Sequence, residues 1–202
     1  MDKIEICNMA LSRIGESPIE ALTENSEAAR KCNQFYEHDR RVVLRRYPWP
    51  WATRRVELAA MPDSPQDYQY AYRYPADCCY LRKIYAVASD GHLLPLPDFV
   101  SYKVVSDASG LVLYTNEPRV VAEYTADVKD VALFDEIFCE ALSWKLASSI
   151  AFKLTGNAQI SQMAESEYQT MFDIAVSDAE DEQNEKTPEL NTFIRARFET
   201  VL

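Results

Sequence analysis

His38 and His92 are the only histidines, and a predicted change of secondary structure separates them, so the chain shows no cluster with metal-ligand spacing and no histidine-dependent triad. His38 reads as a solvated helix residue. A cysteine nucleophile needs a nearby base and a positive setting, and Cys79, beside Tyr80 and close to Arg82 and Lys83, is the one cysteine that approaches this. Its simpler reading is a small apolar residue in a strand. Glu165, Glu167, Asp173, Asp178, Glu180 and Asp181 could supply a carboxylate pair, but no apolar context surrounds them to raise a pKa, so a solvated or partner-facing surface is the better reading. Gly15, Gly91, Gly110 and Gly156 are scattered, so neither a phosphate loop nor a dinucleotide turn can be assembled from them. The expectation is a protein that is not an enzyme and that holds no metal or cofactor.

Binding is the alternative to catalysis, and charge narrows it. The net charge of -11 argues against gripping a nucleic-acid backbone, which relies on Lys and Arg displacing counterions. The distribution is uneven: from 30 to 55 bases outnumber acids about four to one, whereas from 161 to 189 Lys186 is the sole base among many acids. Arg30, Lys31, Arg40, Arg41, Arg45 and Arg46 read either as a solvated helix face or as an anchor for an acidic neighbouring surface. Tyr68, Tyr70, Tyr72 and Tyr74 alternate, so an extended backbone would put all four rings on one face. Base stacking there would also need a positive groove, and only Arg73 lies within the stripe, which leaves core packing or a subunit contact.

These groups must be carried by elements, and hydrophobic period locates them. Ile4, Ile6, Cys7, Ala10, Leu11 and Ile14 predict a helix over 3–14 that Gly15 stops. Asn25 or Ser26 can cap a second, in which Ala29, Cys32, Phe35, Tyr36, Val43 and Leu44 form a buried stripe until Pro48-Trp49-Pro50 ends it. Between 51 and 126 the period changes to two, with candidate strands at 52–59, 79–87, 101–105, 111–115 and 119–125. Turns are expected at Ser89-Asp90-Gly91 and Ser109-Gly110. A central third helix runs from about Phe134 to Gly156, and a fourth from about Ala158 to Glu185. The fold class expected is α+β: about four bundled helices from 1–50 and 127–188, an inserted antiparallel β unit at 51–126, and a C-terminal docking tail at 189–202. In that tail Phe193, Ile194, Phe198, Val201 and Leu202 recur at helical spacing.

Length and composition agree with this plan. A 202-residue chain that is 48% hydrophobic should bury a core without disulfides or metal. Five cysteines, an odd number with Cys78 and Cys79 adjacent, suggest reduced thiols in a cytoplasm. No apolar run approaches the ~20 residues a bilayer needs, and Met1-Asp2-Lys3 is not a signal-sequence opening, so no membrane partner is expected.

A family resemblance rests on several stretches in order. Cys7-Asn8-Met9-Ala10-Leu11-Ser12-Arg13-Ile14-Gly15-Glu16-Ser17-Pro18-Ile19, then Ala28-Ala29-Arg30-Lys31-Cys32, then Tyr47-Pro48-Trp49-Pro50-Trp51-Ala52 resemble the N-terminal half of the podophage tail tubular protein A family of head-to-tail adaptors. Tyr70 to Tyr74, Pro75-Ala76-Asp77-Cys78, the Phe134 to Ala147 helix and the Leu154-Thr155-Gly156-Asn157 turn extend the likeness over nearly the whole chain. It implies a virion structural protein that forms a ring, usually of about twelve subunits, with the helical bundle engaged at the portal protein and the β unit meeting the tail nozzle protein. DNA would pass through the channel without specific binding. No catalytic residue comes with the resemblance.

On this reading Arg30, Arg40, Arg41, Arg45 and Arg46, with Phe193, Ile194 and Phe198, are candidate subunit or portal contacts. Trp49 and Trp51 would wedge the bundle against the β unit. Glu165, Asp173, Asp178, Glu180 and Asp181 would face the channel, where acids repel passing DNA. The expected location is the virion, with the host cytoplasm during assembly. A second reading is a tail-completion or assembly factor of the same virion without a stable ring. A third is a small thiol- or carboxylate-dependent hydrolase, which a phenotype of Cys79→Ala would favour.

Overall fold

The first helix, α1 (Lys3–Arg13), starts where Asp2 accepts the backbone N–H groups of Ile4 and Glu5 while the Glu5 side chain returns to the Asp2 N–H, a reciprocal cap. In this computed structural model residues 1–65, 67–88, 90–93, 101–108 and 110–183 are described. After α1 the chain turns at Gly15, whose φ of 79° lies where a side chain would be strained. Asn8 holds the turn down: its amide bonds both the N–H and the C=O of Ile19. Ser26 then caps α2 (Glu27–Arg46), which ends in the extended Tyr47 before Pro48. The predicted stripe of Ala29, Cys32, Tyr36, Val43 and Leu44 is buried.

Six strands follow: β1 (Thr53–Glu57), β2 (Tyr70–Arg73), β3 (Cys78–Ala86), β4 (Tyr102–Asp107), β5 (Gly110–Thr115) and β6 (Val120–Ala126). They form two antiparallel three-stranded sheets, ordered β1-β6-β3 and β2-β5-β4. The chain changes sheet just after β1. Leu58 N–H still bonds Val120 in the first sheet, whereas Ala59 C=O and Met61 N–H bond Arg73 and Ala71 beside β2. β6 is the middle strand of its sheet and the most buried, with Val120, Ala122, Tyr124 and Ala126 all in the core. Period-two patterning located five of the strands; β2 was not among those candidates, although the alternating Tyr70, Tyr72 and Tyr74 run through it.

Asp135 caps α3 (Glu136–Thr155), and Gly156 closes it in the left-handed conformation at φ 66°. α3 is packed by α1, α2 and α4 (Ala158–Gln183), so its buried residues run around most of its circumference rather than along one stripe. α4 lies along it through Ala164, Tyr168, Phe172, Ala175 and Ala179. Among the described residues the protein is therefore an α+β fold of four α-helices with small antiparallel sheets inserted between the helical pairs. The anticipated tail at 189–202 lies outside the described residues.

Candidate functional site

The arginines of α2 divide into those that build the molecule and those that face outward. Arg40 belongs to the first group, which corrects its placement among the surface contacts. Its side chain is 1% exposed, with bonds to Asp127, to Glu37 and to the Val128 carbonyl just beyond β6. The reason is positional: Tyr36 and Val43 belong to the buried stripe, and Arg40 sits between them at helical spacing. It ties the bundle to the chain leaving the β unit.

Arg45 and Arg46 lie at the C-terminal end of α2, where cations offset the partial negative charge of unpaired carbonyls. Both are exposed yet engaged. Arg45 donates to the Cys79 carbonyl at 2.8 Å and lies over the Tyr80 ring. Arg46 reaches α4, donating to the Tyr168 hydroxyl and Gln169 and stacking on Phe172 at 3.9 Å. From the other side Arg82 donates to the Leu44 and Arg45 carbonyls, aimed there by an irregular register between Leu81 and Lys83 in β3. Arg30 is exposed and pairs with Glu27 on its own helix. Arg41 is exposed and has no ion-pair partner among the described residues. It shares a shallow outer depression with Glu37, His38, Val42 and Arg45.

Trp49 and Trp51 occupy the junction where α2 gives way to β1. Trp49 is 1% exposed; its indole donates to the Val43 carbonyl, and its ring meets Tyr47, Trp51, Phe138 and Phe172. Trp51 packs on Phe134 and Phe138. These rings join the exit of α2 to the first turns of α3 and the middle of α4.

On α4, Asp173, Asp178, Glu180 and Asp181 are exposed. Glu165 differs. Burial pushes its carboxyl up, but hydrogen bonds from Lys145, Ser148 and Gln169 outweigh that and hold it below its ordinary range. It is a partly exposed strut that ties α4 to Lys145 and Ser148 of α3. Phe193, Ile194 and Phe198 lie outside the described residues.

The other groups singled out for chemistry find structural places. Tyr72 is buried and donates to the Glu117 carbonyl, Tyr68 stacks on Tyr114, and the Tyr74 hydroxyl accepts from the Cys78 thiol. Tyr68 and Tyr72 therefore serve the second sheet, and Tyr74 links it to β3 of the first. Cys79 is buried with its sulfur directed at the Arg41 carbonyl, 3.7 Å away, and all five cysteines are free thiols. Among the described residues no group of three or more His, Cys, Asp or Glu could hold a metal ion, and no helix is long and apolar enough to cross a membrane.

Sequence reasoning missed one group. Asp39, beside Arg40, is 1% exposed, and its Oδ2 has no hydrogen-bond partner. Burial pushes its carboxyl up to about 6, against the opposing pull of Ser149, Lys145 and His38. The signal was present: position 39 falls on the same buried stripe as Cys32, Tyr36 and Val43. A second missed feature is a groove of about 940 Å³ between α1 and the segment entering α3, lined by Met1, Met9, Val131 and Phe134 with Glu5 and Glu136.

No protein-family model matches this chain, and no curated protein matches it either.

Proposed function

We propose that the protein is a head-to-tail adaptor of a short-tailed phage, a non-catalytic subunit that assembles as a ring between the portal protein and the tail nozzle protein. The observation that carries this reading is the separation of opposite charge onto two exposed helix faces. Arg30, Arg41 and Arg45 point outward from α2, and Asp173, Asp178, Glu180 and Asp181 from α4. A ring joins unlike faces of neighbouring copies, and opposite charges favour that pairing over like with like. Arg40, Arg45, Arg46 and Arg82 support it differently, by bolting the bundle to the β unit and to α4 so that one rigid subunit could bridge two partners. The ordered residue resemblance over nearly the whole chain supplies the choice of partners, and the acids not used in the ring contact would line a channel that DNA crosses without sticking.

The test is charge reversal followed by rescue. Arg30→Glu with Arg41→Glu should abolish assembly on the portal while leaving the monomer folded, since both are exposed on α2, and Asp173→Arg with Asp178→Arg should do the same. A mixture of the two variants should recover part of the assembly. Normal assembly by either double variant would remove the basis of the reading.

A further inference from the structure

We infer that Cys7 on α1 and Cys32 on α2 form an oxidation site, a dithiol that a small organic disulfide such as glutathione disulfide closes into a bond stapling the first helix to the second. Both are free thiols, both side chains are 0% exposed, and the Cys7 thiol donates a hydrogen bond to the Cys32 sulfur. Sulfurs already in contact need side-chain rotation and a small approach of the helices to reach bonding geometry. The packing allows that approach, because α1 rests mainly on α3 and touches α2 in few places. A link here therefore adds a restraint that helix packing supplies only weakly. The other three cysteines are less suited. The Cys78 thiol donates to Tyr74 and the Cys79 sulfur is directed at the Arg41 carbonyl, so the adjacent pair is turned to different partners. Burial pushes the Cys139 thiol up to about 12, which keeps it protonated and unreactive.

The contact also divides the roles. The hydrogen bond from Cys7 holds the Cys32 thiol below its ordinary range despite burial, while the same contact and burial push Cys7 up, so Cys32 supplies the attacking thiolate. It attacks one sulfur of glutathione disulfide; a mixed disulfide forms, and one glutathione leaves as a thiolate that takes up a proton. Cys7 then gives up its proton and displaces the second glutathione, forming the bond between Cys7 and Cys32. Two electrons pass from the protein to the glutathione disulfide, which ends as two thiols. Because neither sulfur is reachable in the closed fold, exchange takes place during folding or while α1 is lifted from the bundle. A reducing compartment keeps the pair open and an oxidising one closes it. The inference does not rest on the adaptor reading, since the pair lies inside a single chain.

Refolding in a redox buffer tests it. The full chain is diluted from urea into reduced and oxidised glutathione, the remaining thiols are blocked, and the product is weighed and digested without reduction. Expected are three blocked thiols of the five, a mass lower by the two thiol hydrogens, and a cross-linked peptide joining Cys7 to Cys32. The bridged chain should have an unfolding constant roughly a hundredfold smaller than the reduced chain, a gain that dithiothreitol reverses. Native chain left in the same buffer should reach the same product more slowly. Cys7→Ala and Cys32→Ala should each abolish the bridge and the gain, and the cross-link map of the unaltered chain stands as the test if either variant fails to fold. Five blocked thiols, a glutathione adduct on Cys32 that does not close, or a different pairing overturns the inference. So does a bridge between Cys7 and Cys32 that leaves the chain less stable than its reduced form, since the fold would then hold the pair out of disulfide geometry.

Discussion

Replacing Asp39 with Asn removes a charge that the bundle accommodates poorly. The side chain is 1% exposed, and Oδ2 finds no hydrogen-bond partner. Lys145 and Glu165 act on it from α3 and α4, Ser149 of α3 pulls in the opposite direction to burial, and His38 precedes it on α2. Burial dominates and lifts the carboxyl from 3.8 to about 6. A raised acid pKa means the folded state holds its proton where the unfolded chain has lost it. Stability is therefore greatest below the unfolded pKa and falls as pH rises, until the folded group has ionised near pH 6 to 7. A displacement of about two pH units corresponds to about 3 kcal/mol at neutral pH, of which about half should be recovered on lowering pH from 7.5 to 5. Glu165 and other paired carboxylates contribute with the opposite sign, so the informative quantity is the difference between wild type and Asp39→Asn. Urea unfolding at several pH values between 5 and 7.5 measures it. Asp39→Asn should be the more stable form at pH 7.5, with the advantage shrinking by about 1.4 kcal/mol at pH 5. Parallel pH profiles, or a variant less stable at pH 7.5, would refute the argument that desolvation governs this site.

Trp49→Ala should cost about 3 to 5 kcal/mol in chemical denaturation, because it empties a buried site between Phe138 and Phe172; a cost below 1 kcal/mol would show that the junction does not depend on this ring. Arg40→Met should destabilise by about 3 kcal/mol or more, since Asp127 loses its buried counterion, and amide exchange should rise around residues 126–128. Arg41→Glu, altering an exposed side chain, should change stability by no more than about 0.5 kcal/mol by the same denaturation measurement. Gly156→Ala forces a side chain into φ 66° at the end of α3 and should lower stability by about 1 to 2 kcal/mol, visible as a reduced thermal midpoint.

Helices were the most legible part of the sequence because caps and stripes agree locally. Asp135 and Gly156 bracket α3, and Ser26 and Pro48 bracket α2, so both span close to their predicted lengths. The sheet change at residues 58–61 was not legible, since it depends on which strand lies beside Ala59 and Ala60 in space. The charged residues show the same divide. Runs of arginine and acid were plain in the sequence, and the exposed members Arg41, Asp173 and Asp178 are where surface chemistry is expected. Whether a given arginine is structural is decided by long-range partners, as with Arg40 and Asp127, 87 positions apart, or Arg46 and Tyr168, 122 apart. Such pairings leave no local mark. Asp39 and Arg40 did leave one, as charged residues on an otherwise apolar helix face, and that pattern points to buried polar structure.

The adaptor reading stands or falls on assembly. The most direct measurement is molar mass by light scattering after size-exclusion chromatography, for the protein alone and mixed with the portal protein of the same genome. A complex many times heavier than the 23.1 kDa chain, formed alone or on adding portal, is the predicted result. A monomer in both samples, with no portal binding at high protein concentration, would contradict it.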